Sequence, residues 1–122
     1  MVKAHKVDPQ LVASVLDKTE NGPVVEEKDW DRQFINQTIK DLVEKFDVKL
    51  EKGFYGVPSD DALADRVYEA GLELALQSGL YCVDTHRRMV WTRDEIDSVL
   101  ENAPTQVTVG EGKDEVTFKK RV

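Results

Sequence analysis

The chain has 122 residues, of which 40% are hydrophobic, 34% charged and 7% aromatic, enough for one domain with a core drawn mainly from Leu, Val, Ile and Ala. Asp and Glu number 24 against 17 Lys and Arg, a formal charge of −7, which argues against sequence-independent nucleic-acid binding and against docking on an anionic membrane. No stretch approaches the roughly 18 apolar residues of a membrane span, and a single Cys82 excludes an internal disulfide and a multi-thiolate zinc site. The expectation is a soluble, cytoplasmic chain.

Asp8-Pro9-Gln10 is the first helix signal, an N-cap residue followed by proline at the first helical position. Leu11, Val12, Val15 and Leu16 then form one stripe at helical spacing, and Asn21-Gly22-Pro23 closes the helix. Residues 1–26 therefore read as an N-terminal helix and linker, and 27–122 as one module. Over 27–46, Trp30, Phe34, Ile35, Ile39, Leu42, Val43 and Phe46 share one face, with Asp31, Gln33, Lys40, Asp41 and Lys45 elsewhere. That pattern predicts an amphipathic surface helix.

Gly53, Gly56 and Pro58 break the periodicity. Ser59 is the expected N-cap of the next helix, with Asp60 and Asp61 favoured by the positive end of its dipole. Over 60–78 apolar residues surround most of the helical circumference, from Leu63 and Val67 to Leu74 and Leu76, which predicts burial on more than one side. Gly79 stands where a left-handed C-cap belongs.

The runs 80–83 and 89–91 flank the polar string Asp84-Thr85-His86-Arg87-Arg88 and predict a short hairpin or paired extended segments around it. Thr92-Arg93-Asp94-Glu95 is a capping box, with Trp91 and Ile96 placed for the hydrophobic staple. The helix it starts must stop before Pro104. Finally, Val107 and Val109, then Val116 and Phe118, alternate with polar residues around Gly110-Glu111-Gly112-Lys113-Asp114, a hairpin with a glycine-containing loop. The fold class is α+β, mainly helical, with about four helices, short extended segments and a C-terminal β-hairpin.

Candidate chemistry is sparse. Cys82, Asp84 and His86 would face one side of a continuous strand and so could bind a metal or supply a nucleophile. One thiol, one imidazole and one carboxylate fall short of a closed zinc site, and the plainer reading is a buried Cys, a turn Asp and a structural His, with no metal. His86, Arg87, Arg88 and Arg93 are the concentrated positive charge. They could contact an anion or an acidic protein face, but read more simply as solvated charges paired with nearby Asp and Glu. Gly110-Glu111-Gly112-Lys113 lacks the G-x-x-x-x-G-K-[ST] spacing and following helix of a phosphate loop. Ser14, Ser59, Ser78 and Ser98 have no nucleophile-elbow context. No catalytic residue is singled out.

Three strings, however, resemble one family: Gly79-Leu80-Tyr81-Cys82-Val83-Asp84-Thr85-His86-Arg87, Trp91-Thr92-Arg93-Asp94-Glu95-Ile96, and Gly110-Glu111-Gly112-Lys113-Asp114-Glu115-Val116 with Lys119-Lys120-Arg121. With Asp29-Trp30-Asp31 and Ala70-Gly71-Leu72-Glu73, they are similar to the N-terminal region of monomethylamine methyltransferases, over about 29–122. The resemblance implies a much longer enzyme whose TIM-type barrel moves a methyl group from monomethylamine to the cobalt of a corrinoid protein. In archaeal methylotrophic methanogenesis that barrel carries a pyrrolysine. No residue of this chain matches the pyrrolysine position, so the resemblance transfers context and no catalytic residues.

The expectation is a catalytically silent N-terminal module, without a cofactor of its own. The resemblance implies the methyltransferase barrel or the corrinoid protein as its partner, with homo-oligomer formation as a further expectation. The competing expectation is a free-standing adaptor that uses the Arg-rich turn as its contact. Under either, apolar surface should remain for a larger partner to cover.

Overall fold

The fold is taken from a computed structural model that describes residues 8–49 and 59–120. His5, the Gly53, Gly56 and Pro58 break, and Arg121 lie outside the described residues. Helix α1 is Pro9–Asn21, and Asp8 caps it by accepting from the Gln10 amide at 2.9 Å. A single helical rod follows in three stretches: α2 (Glu27–Asp29), a π segment (Trp30–Gln37) and α3 (Thr38–Lys45). Next come α4 (Asp61–Ser78), β1 (Leu80–Cys82), β2 (Arg87–Met89), α5 (Arg93–Asn102), β3 (Gln106–Val109), a 3-10 turn at Gly112–Asp114, and β4 (Val116–Lys119). The class is α+β with helices dominant, as the periodicities predict.

Several starts and stops follow local chemistry. Thr92 and Glu95 form the full capping box of α5: the Glu95 amide donates to Thr92 Oγ1 at 3.3 Å, and the Thr92 amide donates to the Glu95 carboxylate at 2.8 Å. The cap of α4 is Asp60, which accepts from the Leu63 amide, one residue later than the expected Ser59. Asp60 both caps and adds negative charge at the helix start, so it outcompetes a neutral serine. Gly79 ends α4 at φ 62 and ψ −161, a region beyond the left-handed helix that only glycine enters without strain.

The rod and α4 pack side by side, and their contact holds what core there is. Leu42 and Leu72 are the buried apolar side chains among the described residues, with Thr38 and Ser78 buried beside them. Lys45 clamps the same pair from outside, its ammonium 2.7 Å from the Glu73 carboxylate. The circumferentially apolar α4 is thus far less covered than its sequence predicts. Val67 and Tyr68 stay exposed, at 46% and 57%. Apolar side chains on a helix register what it is able to meet, not what is present to meet it.

The two hairpins differ in setting. β1 and β2 pair antiparallel with Leu80 opposite Met89, Tyr81 opposite Arg88 and Cys82 opposite Arg87. Arg87 and Arg88 therefore belong to the strand, and the turn is only residues 83–86. The Val24–Arg87 bridge and the Val25 amide bond to the His86 carbonyl (2.9 Å) tie the 22–26 linker to this hairpin. β3 and β4 pair with Val107 opposite Phe118 and Val109 opposite Val116. On the other face the Thr108 and Thr117 hydroxyls meet at 2.9 Å. Phe118 is 62% exposed, so the apolar face of this second hairpin is open.

Candidate functional site

The features that gather side chains lie where α4 ends and β1 begins. The last carbonyls of a helix have no partner within it, and here side chains from two other elements meet them. Trp30 Nε1 donates to the Ser78 carbonyl at 3.1 Å, and Arg88 donates to the Gln77 carbonyl at 3.3 Å. Ser78 Oγ donates back to the Leu74 carbonyl at 2.8 Å, while the Gly79 amide donates to Ala75. Trp30 then stacks on Tyr81, with ring centroids 5.4 Å apart at 25°.

Tyr81 carries the chain of contacts outward. Its hydroxyl lies 3.0 Å from the Val25 carbonyl and 3.0 Å from His86 Nδ1, and the two rings meet edge-on at 6.4 Å. Partial burial, and then Glu27 and Glu26 nearby, hold the Tyr81 phenol above its ordinary 10.0, so it keeps its proton. His86 itself is exposed and adopts φ 52, uncommon for a residue with a side chain.

The trio of Cys82, Asp84 and His86 does not assemble. The strand ends at Cys82, so the one-sided alternation expected of a continuous strand stops there. His86 bonds Tyr81 instead, and the Cys82 thiol is held below its ordinary 9.0 first by the Thr85 hydroxyl and then by the Thr85 amide. That hydroxyl is otherwise buried without a partner. Among the described residues no three His, Cys, Asp or Glu side chains stand close enough to hold a metal ion.

Arg87 and Arg88 differ from expectation, while Arg93 follows it in pairing with a nearby Asp. Arg87 donates to the Gly22 carbonyl at 2.6 Å, Arg88 lies 3.8 Å over the Phe34 ring, and Arg93 pairs with Asp97 at 3.0 Å. Arg87 and Arg88 are half-buried supports joining the linker, the π segment and α4 to β2, not solvated turn charges and not a free basic contact. Guanidinium groups suit this because they stack on rings and reach carbonyls with the same plane. Gly110-Glu111-Gly112-Lys113 turns through the 3-10 segment into β4, with Gly110 at φ 91 and Gly112 at φ 58. It opens no helix.

An apolar groove of about 570 Å³ runs between α1, α4 and α5 and shares Trp30, Ser78 and Gly79 with the cluster at the end of α4. Leu11 and Val15 form one wall and Ile96, Val99 and Leu100 the other, over a floor that includes Trp30, Leu74 and Trp91. Trp91 and Ile96, the staple pair, both line it. At its edge Lys18 donates to the Val90 carbonyl at 2.9 Å and pairs with Glu95 at 3.1 Å, fastening α1 to the start of α5. Among the described residues no helix is long and apolar enough to cross a membrane.

Residues 11–122 match the sequence profile of the family described as Monomethylamine methyltransferase MtmB. The chain belongs to that family. Monomethylamine methyltransferase MtmB of Methanosarcina mazei is 33% identical over 105 residues, which are 86% of this chain and 22% of that protein. MtmB1 of Methanosarcina acetivorans stands at the same identity and coverage. The crystal structure of Methanosarcina barkeri monomethylamine methyltransferase superposes with a TM-score of 0.79 at 32% identity, over 87% of this chain and 23% of that one. The hydroxylamine complex of MtmB matches equally. The chain thus spans a little over a fifth of the length of these methyltransferases.

Proposed function

We propose that this chain is the N-terminal, non-catalytic module of a monomethylamine:corrinoid methyltransferase, and that its apolar faces seat against the remainder of that enzyme. The observation that carries the reading is the imbalance between apolar content and cover. Leu42 and Leu72 are buried, while Phe118, Leu80, Tyr68 and Leu16 stand 57–62% exposed. Large apolar side chains left exposed in this number mark surface that a partner covers. The MtmB relatives supply a remainder several times the length of this chain. In this reading methyl transfer from monomethylamine to a corrinoid protein belongs to that remainder. The module supplies a supporting surface and holds no cofactor. No step of the chemistry is routed through Cys82, His86 or the arginines.

The adaptor reading loses its main support, because the turn arginines it needed, Arg87 and Arg88, are engaged inside the module. The test is to add the portion of the M. mazei enzyme that follows its matched region and follow complex formation by size-exclusion chromatography. Co-elution, together with binding of a hydrophobic dye by the free module that is lost in the complex, is the expected result. A monodisperse module that binds no dye and ignores the added portion overturns the reading.

A further inference from the structure

The Tyr81 hydroxyl has one proton and two neighbours at 3.0 Å, the Val25 carbonyl and His86 Nδ1. A carbonyl oxygen only accepts, so the phenol proton belongs to Val25, and the phenol oxygen is left to accept. His86 Nδ1 must then be the N–H donor. Turning the phenol proton to Nδ1 would set lone pairs together at the Val25 carbonyl, and an unprotonated Nδ1 would set them together at the phenol oxygen. In the neutral imidazole the free lone pair is therefore on Nε2, which meets no hydrogen-bond partner among the described residues. The ring nitrogen that carries the proton is set by the bond its neighbour makes.

The backbone is fixed as firmly as the ring. His86 sits at φ 52 with its carbonyl bonded by the Val25 amide. Histidine tolerates this region better than most side chains, and here the Val25 amide bond holds it in place. Tyr81 in turn is stacked on Trp30, itself anchored to the end of α4. Val24 and Val83, 65% and 59% exposed, lie beside the turn, and Glu26, Glu27 and Asp84 are exposed around it. The arginines of the neighbouring strand point inward. The surface therefore offers an acceptor in an acidic, partly apolar setting.

We propose that His86 is a contact residue for a protein surface bearing a Lys or Arg donor, with Nε2 as the acceptor and Tyr81 as its positioning residue. This rests on the module reading in taking that surface to be part of the remainder of the enzyme.

The test has two arms. In the free chain, a long-range proton–nitrogen correlation spectrum of the histidine side chains is expected to give His86 as the Nδ1–H tautomer. Tyr81→Phe should move it toward the Nε2–H form. In the complex with the following portion of the M. mazei enzyme, His86→Asn is expected to weaken association about tenfold, because asparagine tolerates the same backbone region but lacks the imidazole. Tyr81→Phe should weaken it in the same direction. Nε2–H in the wild-type spectrum overturns the assignment of the acceptor. A complex as tight with His86→Asn as without it overturns the contact while leaving the module reading intact. Failure of the wild-type chain to bind overturns both.

Discussion

Arg88, in a strand, lays its guanidinium 3.8 Å above the ring of Phe34, in a helix, and reaches past it to the Gln77 carbonyl at the end of another helix. Three elements converge on one side chain that a sequence reading assigns to an exposed turn. Partial burial lowers its pKa below the ordinary guanidinium value, but an arginine remains charged throughout.

Arg88→Ala should therefore cost more than loss of a helix cap. Removing the ring contact and the carbonyl bond is expected to cost about 2 kcal/mol, against ~1 kcal/mol for Thr92→Ala. Urea denaturation of the two variants ranks them directly. If Thr92→Ala proved the more damaging, Arg88 would be an ordinary surface charge.

Trp30 can be divided into its stack and its hydrogen bond. Trp30→Phe keeps an aromatic face for Tyr81 but leaves the Ser78 carbonyl without the indole donor it has at 3.1 Å. The expected loss is about 1 kcal/mol, read from the thermal midpoint. A neutral effect would mean that water satisfies Ser78 just as well.

Two glycines of α4 and its cap should respond in opposite directions. A Cβ at Gly71 meets nothing within 4 Å, so Gly71→Ala is expected to stabilise the isolated chain by about 0.5–1 kcal/mol through helix propensity. A Cβ at Gly79 would collide with the Met89 carbonyl, and φ is 62 there, so Gly79→Ala should cost at least about 2 kcal/mol. Chemical denaturation of both variants checks the pair.

Stability should fall on the acid side partly through Glu95. The Thr92 amide, and then the Lys18 ammonium, hold the Glu95 carboxyl below its ordinary 4.5. Its folded pKa is the lower one, so its contribution is fully present above 4.5 and is lost as pH falls through the folded value. Glu95→Gln should flatten that part of the stability–pH curve, measured by urea midpoints between about pH 6 and pH 3. An unchanged slope would show that other carboxylates govern the acid limb.

What could be read from the sequence was what is decided locally. Asp8-Pro9, Thr92-Glu95 and the valine alternation at 107–109 each act within a few residues, and the structure follows them. The family, too, was carried by contiguous strings around Tyr81 and Gly110. What escaped depends on distant neighbours. Arg87 and Arg88 look like turn charges until the linker and the π segment are folded beside them. The Tyr81–His86 pair spans five positions across a turn, and no spacing rule signals it. The sequence of α4 overstates its burial because an apolar helix that awaits a partner and one already covered have the same composition.

The π segment was equally hidden, since Trp30, Phe34 and Ile35 suit an ordinary helical stripe. Each of its turns closes on the fifth residue instead of the fourth, a bonding pattern echoed by Thr38 Oγ1 reaching the Gln33 carbonyl at 3.4 Å. The segment thus stores surplus chain length inside a continuous rod. Excising one residue from it can be absorbed by tightening to α geometry, leaving Trp30 and Leu42 still aimed at α4. The same excision within α4 has no slack to draw on, and would swing every side chain beyond the cut away from its partner. Tolerance to shortening is thus concentrated in the rod, between the anchors that hold it.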